Sequence, residues 1–87
     1  MKIELNYNDS KMCLLGSILE IKENNSINRY RLFKQKDIEC LTGILKTLNS
    51  LSNKEYTLKI GRYFNTMYLY INKNTVLEFM ALELKNL

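Results

Sequence analysis

The segment Gln35–Ser52 (QKDIECLTGILKTLNSLS) constrains this chain more than any other. Ile38, Leu41, Ile44, Leu45, Leu48 and Leu51 recur at steps of three and four, the spacing that stacks side chains on one face of an α-helix. They fall within an arc of roughly 140° on the helical wheel. Glu39, Thr42, Lys46 and Asn49 lie opposite, and Cys40 sits just beyond the apolar edge. A helix this apolar on one side must be covered, and a sheet is the natural cover for it.

The flanking segments supply strands. Lys2–Tyr7 alternates, with Ile3, Leu5 and Tyr7 against Lys2, Glu4 and Asn6, the pattern of a half-buried strand. Asn8, Asp9 and Ser10 read as a turn. Lys11–Lys22 fits two patterns. Met12, Leu15 and Leu19 have helical spacing behind an Asp9 or Ser10 cap, whereas Leu19 and Ile21 alternate with Ile18, Glu20 and Lys22. The β-branched residues and Gly16 favour one strand bulged at the glycine. Glu23–Ser26 is a hairpin signal. Ile27–Phe33 is a strand with Tyr30 and Leu32 on one face, Arg29 and Arg31 on the other.

The central helix starts near Asp37, whose carboxylate suits a helix N-terminus, and ends in a loop at Ser52, Asn53 and Lys54. Tyr56–Arg62 alternates with Tyr56, Leu58 and Ile60 inward, followed by a bend from Gly61 to Asn65. In Thr66–Asn72, Met67, Leu69 and Ile71 oppose Tyr68 and Tyr70. Thr75 and Glu78 have the spacing of a capping box, which predicts a final helix from Val76 to about Asn86, with an extended strand as the alternative. The expected fold is α+β: a single mainly antiparallel sheet of about five strands, ordered β-β-β-α-β-β-α, packed on one long helix, with a short C-terminal helix. Eighty-seven residues without proline or a linker make one domain, residues 1–87.

Composition narrows function by exclusion. Histidine is absent, so the commonest general base is missing, together with every Ser-His or Cys-His pair. Two cysteines, Cys13 and Cys40, are too few for a four-ligand zinc site and read as small buried hydrophobes in a reducing compartment. The three glycines are isolated, so no phosphate-binding loop exists. Glu4 and Glu20 lie on strands that can pair, but a solvated sheet face accounts for them. The chain reads as non-enzymatic, with no cofactor and no metal. The first residues lack the apolar core of a signal peptide, and apolar runs stop at five residues, far short of a membrane span. The expected compartment is the cytoplasm, with no membrane partner.

Two binding classes remain. The predicted C-terminal helix has an apolar arc of roughly 200°, more than packing on one sheet uses, and Leu82 falls outside even that arc. The surplus calls for another protein or a second copy, with Phe79 and Leu82 on the contacting flank and Tyr68 and Tyr70 on the sheet. A short, alanine-poor, Asn- and Lys-rich domain without catalytic groups also suits phage or mobile-element proteins that inhibit host machinery, of the anti-CRISPR or anti-restriction type. The alternative is nucleic acid. Thirteen Lys and Arg against nine Asp and Glu leave a charge of +4. Arg29, Arg31, Lys59, Tyr63, Tyr68 and Tyr70 would then combine cations for phosphates with rings for stacking. A merely solvated basic surface is the plainer reading of the same cations.

Overall fold

The computed structural model describes residues 2–7, 9–51 and 56–85. Among them are seven strands: β1 Lys2–Tyr7, β2 Ser10–Leu15, β3 Ile18–Glu23, β4 Ser26–Leu32, β5 Lys59–Tyr63, β6 Thr66–Asn72 and β7 Thr75–Leu84. One helix, α1 Gln35–Ser50, joins β4 to β5. The strands form one antiparallel sheet in the order β1-β2-β3-β4-β7-β6-β5.

Three expectations fall here. The sheet has seven strands, not about five, and no C-terminal helix forms: Thr75–Leu84 is β7. Its apolar residues satisfy helical spacing because both faces of the strand are apolar, and Thr75 starts a strand instead of capping a helix. Lys11–Lys22 is likewise not one bulged strand. It is a hairpin, with Leu15 opposite Ile18 and Gly16 in the left-handed region at φ 60°.

Three of the two-residue hairpin turns share one backbone solution. Gly16, Asn24 and Phe64 each take the first turn position with φ between 54° and 60°. Glycine reaches that region without a Cβ clash, and asparagine tolerates it. The β6–β7 turn is built differently, with the Asn72 side-chain oxygen accepting from the Asn74 N–H at 2.8 Å. Gly61, placed in a bend by its sequence, lies inside β5. There a Cβ would stand 3.4 Å from the Tyr70 ring, so the missing side chain makes room for that tyrosine.

The helix crosses the inner face of the sheet. Leu41, Leu45 and Leu48 are buried as their spacing requires, against Leu5, Met12, Leu14, Leu19, Leu32, Met67, Leu69 and Phe79. Both helix ends are tied to strands. Near the start the Met80 N–H donates to Asp37 Oδ2 at 3.4 Å, and near the end Asn49 Nδ2 donates to the Glu4 carbonyl at 2.6 Å. The helix starts two residues before Asp37 and lacks a side-chain cap. Tyr56 and Leu58 are buried as expected but precede β5, and Thr57 N–H donates to the Ile71 carbonyl at 3.0 Å. The loop expected at Ser52, Asn53 and Lys54 lies outside the described residues.

Arg62 also belongs to the inner face. It donates to the Glu83 carboxylate, and its guanidinium sits 5.3 Å from the centroid of the Tyr30 ring, where the cation is attracted to the ring face. The Tyr7 hydroxyl, by contrast, is buried without a hydrogen-bond partner. Burial, helped by the neighbouring Glu23 carboxylate, pushes its pKa up to about 12.

Three predictions follow from this packing. Leu45 is fully buried, so Leu45→Ala should cost about 2–5 kcal/mol through lost transfer energy and a cavity, read by urea titration. Nothing lies within 4 Å of a Cβ at Gly16, so Gly16→Ala should cost about 1 kcal/mol from backbone conformation alone. Tyr7 ionises late because its folded pKa is raised from an ordinary value of about 10. Its contribution to stability is therefore complete below about pH 10 and lost as the pH rises towards 12. The 295 nm titration of wild type minus that of Tyr7→Phe should isolate one tyrosine ionising near 12. The variant should match or exceed wild type in neutral urea titrations, since it removes an unpaired buried hydroxyl.

Candidate functional site

Strand alternation and register assign every strand side chain to one of two faces. The inner face packs on α1. The outer face is covered by no element of the chain among the described residues, and it carries the candidate site. Register lines up Leu15, Ile18, Arg31 and Leu82 across β2, β3, β4 and β7. The next outer positions along the strands bring Met80 opposite Thr66, and Thr66 opposite Tyr63. Phe33 extends this band from the end of β4, its N–H donating to the Met80 carbonyl at 3.4 Å.

The band is apolar and open. Of the ten exposed large hydrophobics, Leu15, Ile27, Tyr63, Tyr70, Val76, Met80 and Leu82 stand at outer-face positions. An antiparallel sheet with one solvated face ordinarily reads apolar in, polar out. β7 breaks that rule: Leu77, Phe79 and Ala81 point inward, while Val76, Met80, Leu82 and Leu84 point outward with Glu78 among them. Apolar residues on both faces are the mark of a strand covered on both sides.

Charges border the band. Glu4 lies between Lys2 at 2.9 Å and Lys11 at 3.1 Å, and these lysines hold its carboxyl below the usual range, Lys2 foremost through its hydrogen bond. Arg29 Nε donates to Glu20 Oε2 at 2.9 Å. Exposed pairs of this kind add little stability. Glu4 and Glu20 thus serve as partners for cations, as a solvated face implies. Lys11 and Lys22 stand opposite one another at one end of the face, and Lys59 stands beside Tyr70 at the other. Arg31, Lys59 and Glu78 form no ion pair among the described residues.

The sequence-derived sets divide cleanly. Arg29, Arg31, Lys59, Tyr63, Tyr68 and Tyr70 all occupy the outer face. So does Leu82, which is 44% exposed. Phe79 does not: it points inward, is 3% exposed and belongs to the core, so it leaves the protein-binding set. Its flanking role assumed a helix, and in a strand Phe79 and Leu82 point to opposite faces. Sequence reading missed Leu15, Ile18, Phe33, Val76 and Met80. The doubly apolar run Val76–Leu84 was the available signal, once read with a period of two.

The cysteines are free and on different surfaces. Cys13 is half-buried on the outer face between Glu4 and Glu20, where burial raises its thiol pKa. Cys40 is exposed on α1, not buried as expected, because it lies just past the edge of the helix's apolar stripe. Among the described residues no group of three or more Cys, Asp or Glu side chains is placed to hold a metal, and no helix is long and apolar enough to cross a membrane. Two shallow grooves of about 400 and 490 Å3 flank α1 and meet at Glu39 and Gly43. Neither gathers paired carboxylates. In comparisons with known proteins, the chain matches no protein family, no curated protein and no solved structure.

The β5–β6 turn adds an aromatic tip. Phe64 is 77% exposed, and its ring meets Tyr63 edge-on at 4.6 Å. It fills a backbone position that the other positive-φ turns give to Gly16 and Asn24, and a bulky side chain is strained there. Phe64→Asn should therefore keep the fold and raise the urea midpoint, by up to about 1 kcal/mol in stability. A loss of that size would mean that the ring contact outweighs the backbone strain.

Proposed function

We propose that this chain is a non-enzymatic protein-binding module whose docking surface is the outer sheet face centred on β7. One observation carries the reading: β7 is apolar on both faces, and among the described residues only one of them is covered. Exposed apolar patches bordered by polar groups mark protein interfaces more often than catalytic sites. Leu82, Tyr68 and Tyr70 supply contact area, joined by Leu15, Ile18, Phe33 and Met80. Arg31 and Glu78 favour a partner that offers a group of each sign beside an apolar centre. A cytoplasmic inhibitor or adaptor acting on host machinery, as phage and mobile-element proteins do, fits this surface and the Asn- and Lys-rich composition.

A second reading has its own support. Arg29, Arg31, Lys59, Tyr63, Tyr68 and Tyr70 share this face, and single-stranded nucleic acid uses such a mixture of cations and rings. Glu78, opposite Tyr68 on the neighbouring strand, and the aliphatic band both weigh against it.

The two readings part in one pair of measurements. Tagged wild type and Leu82→Asp are used as bait in extract of the source cell. Any retained protein is identified, purified and titrated. Loss of one apolar anchor from a dry contact is worth on the order of 2 kcal/mol, so Leu82→Asp should weaken that affinity about thirtyfold, with little dependence on salt. Fluorescent oligothymidylate and oligouridylate are titrated in parallel. Tight binding to either that falls steeply with salt and survives Leu82→Asp would replace the protein reading with the nucleic-acid one.

A further inference from the structure

We infer that the outer face is covered by a second copy of the same chain, packed face to face, so that two sheets form the inner layers of a four-layered helix-sheet-sheet-helix dimer. This rests on the protein-binding reading and names its partner.

Area is the first argument. A compact monomer of 10.3 kDa exposes about 5,400 Å2 by the scaling of surface with mass. This chain exposes 6100 Å2. The excess is what a sheet with one uncovered face adds to the surface of a compact fold.

Layering is the second. β7 is flanked by two strands on one side of the sheet and four on the other, so its outer residues lie well inside both edges. Nothing less than another layer across the face removes Leu82 and Met80 from water, and a sheet at about 10 Å is a layer of the right depth. The lysines at the two ends of the face stay in water around the contact, as an interface rim requires.

Sign is the third. A face with a single sign of free charge would repel its own copy. Its charges without an ion pair among the described residues include an acid, Glu78, as well as bases, Arg31 near the centre and Lys22 and Lys59 towards the ends. A two-fold axis across the face brings each residue's partner set against the other's, so the carboxylate of one protomer and the guanidinium of the other can pair twice over.

The test needs only the protein itself. Sedimentation velocity is run from dilute solution up to about 100 μM, a range that resolves dissociation constants in the micromolar region. Wild type should pass from one chain to two as concentration rises, and Leu82→Asp should remain single with unchanged circular dichroism. Should that variant fail to fold, Met80→Gln serves in its place. Met80 also reports on the location, because Met12 and Met67 are buried whereas Met80 is 44% exposed. Its oxidation by peroxide should slow as wild type dimerises and stay fast in the monomeric variant.

A wild type that sediments as a single chain throughout overturns the inference. A dimer whose Met80 oxidises as fast as in the monomer also overturns it, because the contact then lies elsewhere, such as the β5 edge. A single-chain wild type whose Met80 becomes protected only on adding a protein captured in the previous experiment defeats the second copy and leaves the protein-binding reading standing. If that protein gives no protection either, both fail.

Discussion

Burial of the Leu41, Leu45 and Leu48 face of α1 is the interaction on which the rest of the structure depends. It gives the sheet an inside and an outside. With that choice made, alternation leaves no freedom: each strand sends one set of side chains to the helix and the other to the opposite face. The contacts at Asp37 and Asn49 hold the helix across strands distant in sequence, β7 and β1. The character of the outer face is thus a by-product of where one helix lies. Arg31 and Leu82 become neighbours because Leu32 and Ala81 are needed beneath.

The parts of the fold that were legible in the sequence were those carrying one clean period. Gln35–Ser52 could only be a helix, since its apolar residues fit steps of three and four and no alternation. Thr66–Asn72 could only be a strand, for the converse reason. Two segments deceived because both of their faces are apolar. In Met12–Leu15 a continuous apolar run hid the end of a strand, so Gly16 read as a bulge instead of the first residue of a turn. In Val76–Leu84, inward Leu77, Phe79 and Ala81 interleave with outward Val76, Met80, Leu82 and Leu84, and the sum imitates a broad helical stripe. The apolar residues of Val76–Leu84 lie on the two faces of a strand and not in one broad helical arc.

The candidate site followed the same division. Arg29, Arg31, Lys59, Tyr68 and Tyr70 were placed together because each sits on a strand whose phase was plain. Leu15, Ile18 and Met80 were not, since their joining depends on the register between β2, β3, β4 and β7, a long-range property. Phe64 was invisible for another reason. A sequence does not announce that a bulky residue will occupy the left-handed turn position that Gly16 and Asn24 fill elsewhere.

β7 also divides its hydrogen bonds between two neighbours. Its first half, Thr75–Met80, pairs with β6, and its last residues, Ala81–Leu84, pair with β4. The β1–β4 meander and the β5–β6 hairpin are therefore joined into one hydrogen-bonded sheet by this strand. Chain order makes β7 the last of the seven to leave the ribosome, so until then β4 and β6 each present an unzipped edge, close to the helix that separates them in sequence. Sheet closure is a late, long-range event, slow by its loop entropy. Without β7 the chain is two half-sheets, and the strand that joins them is also the one with apolar residues on both faces.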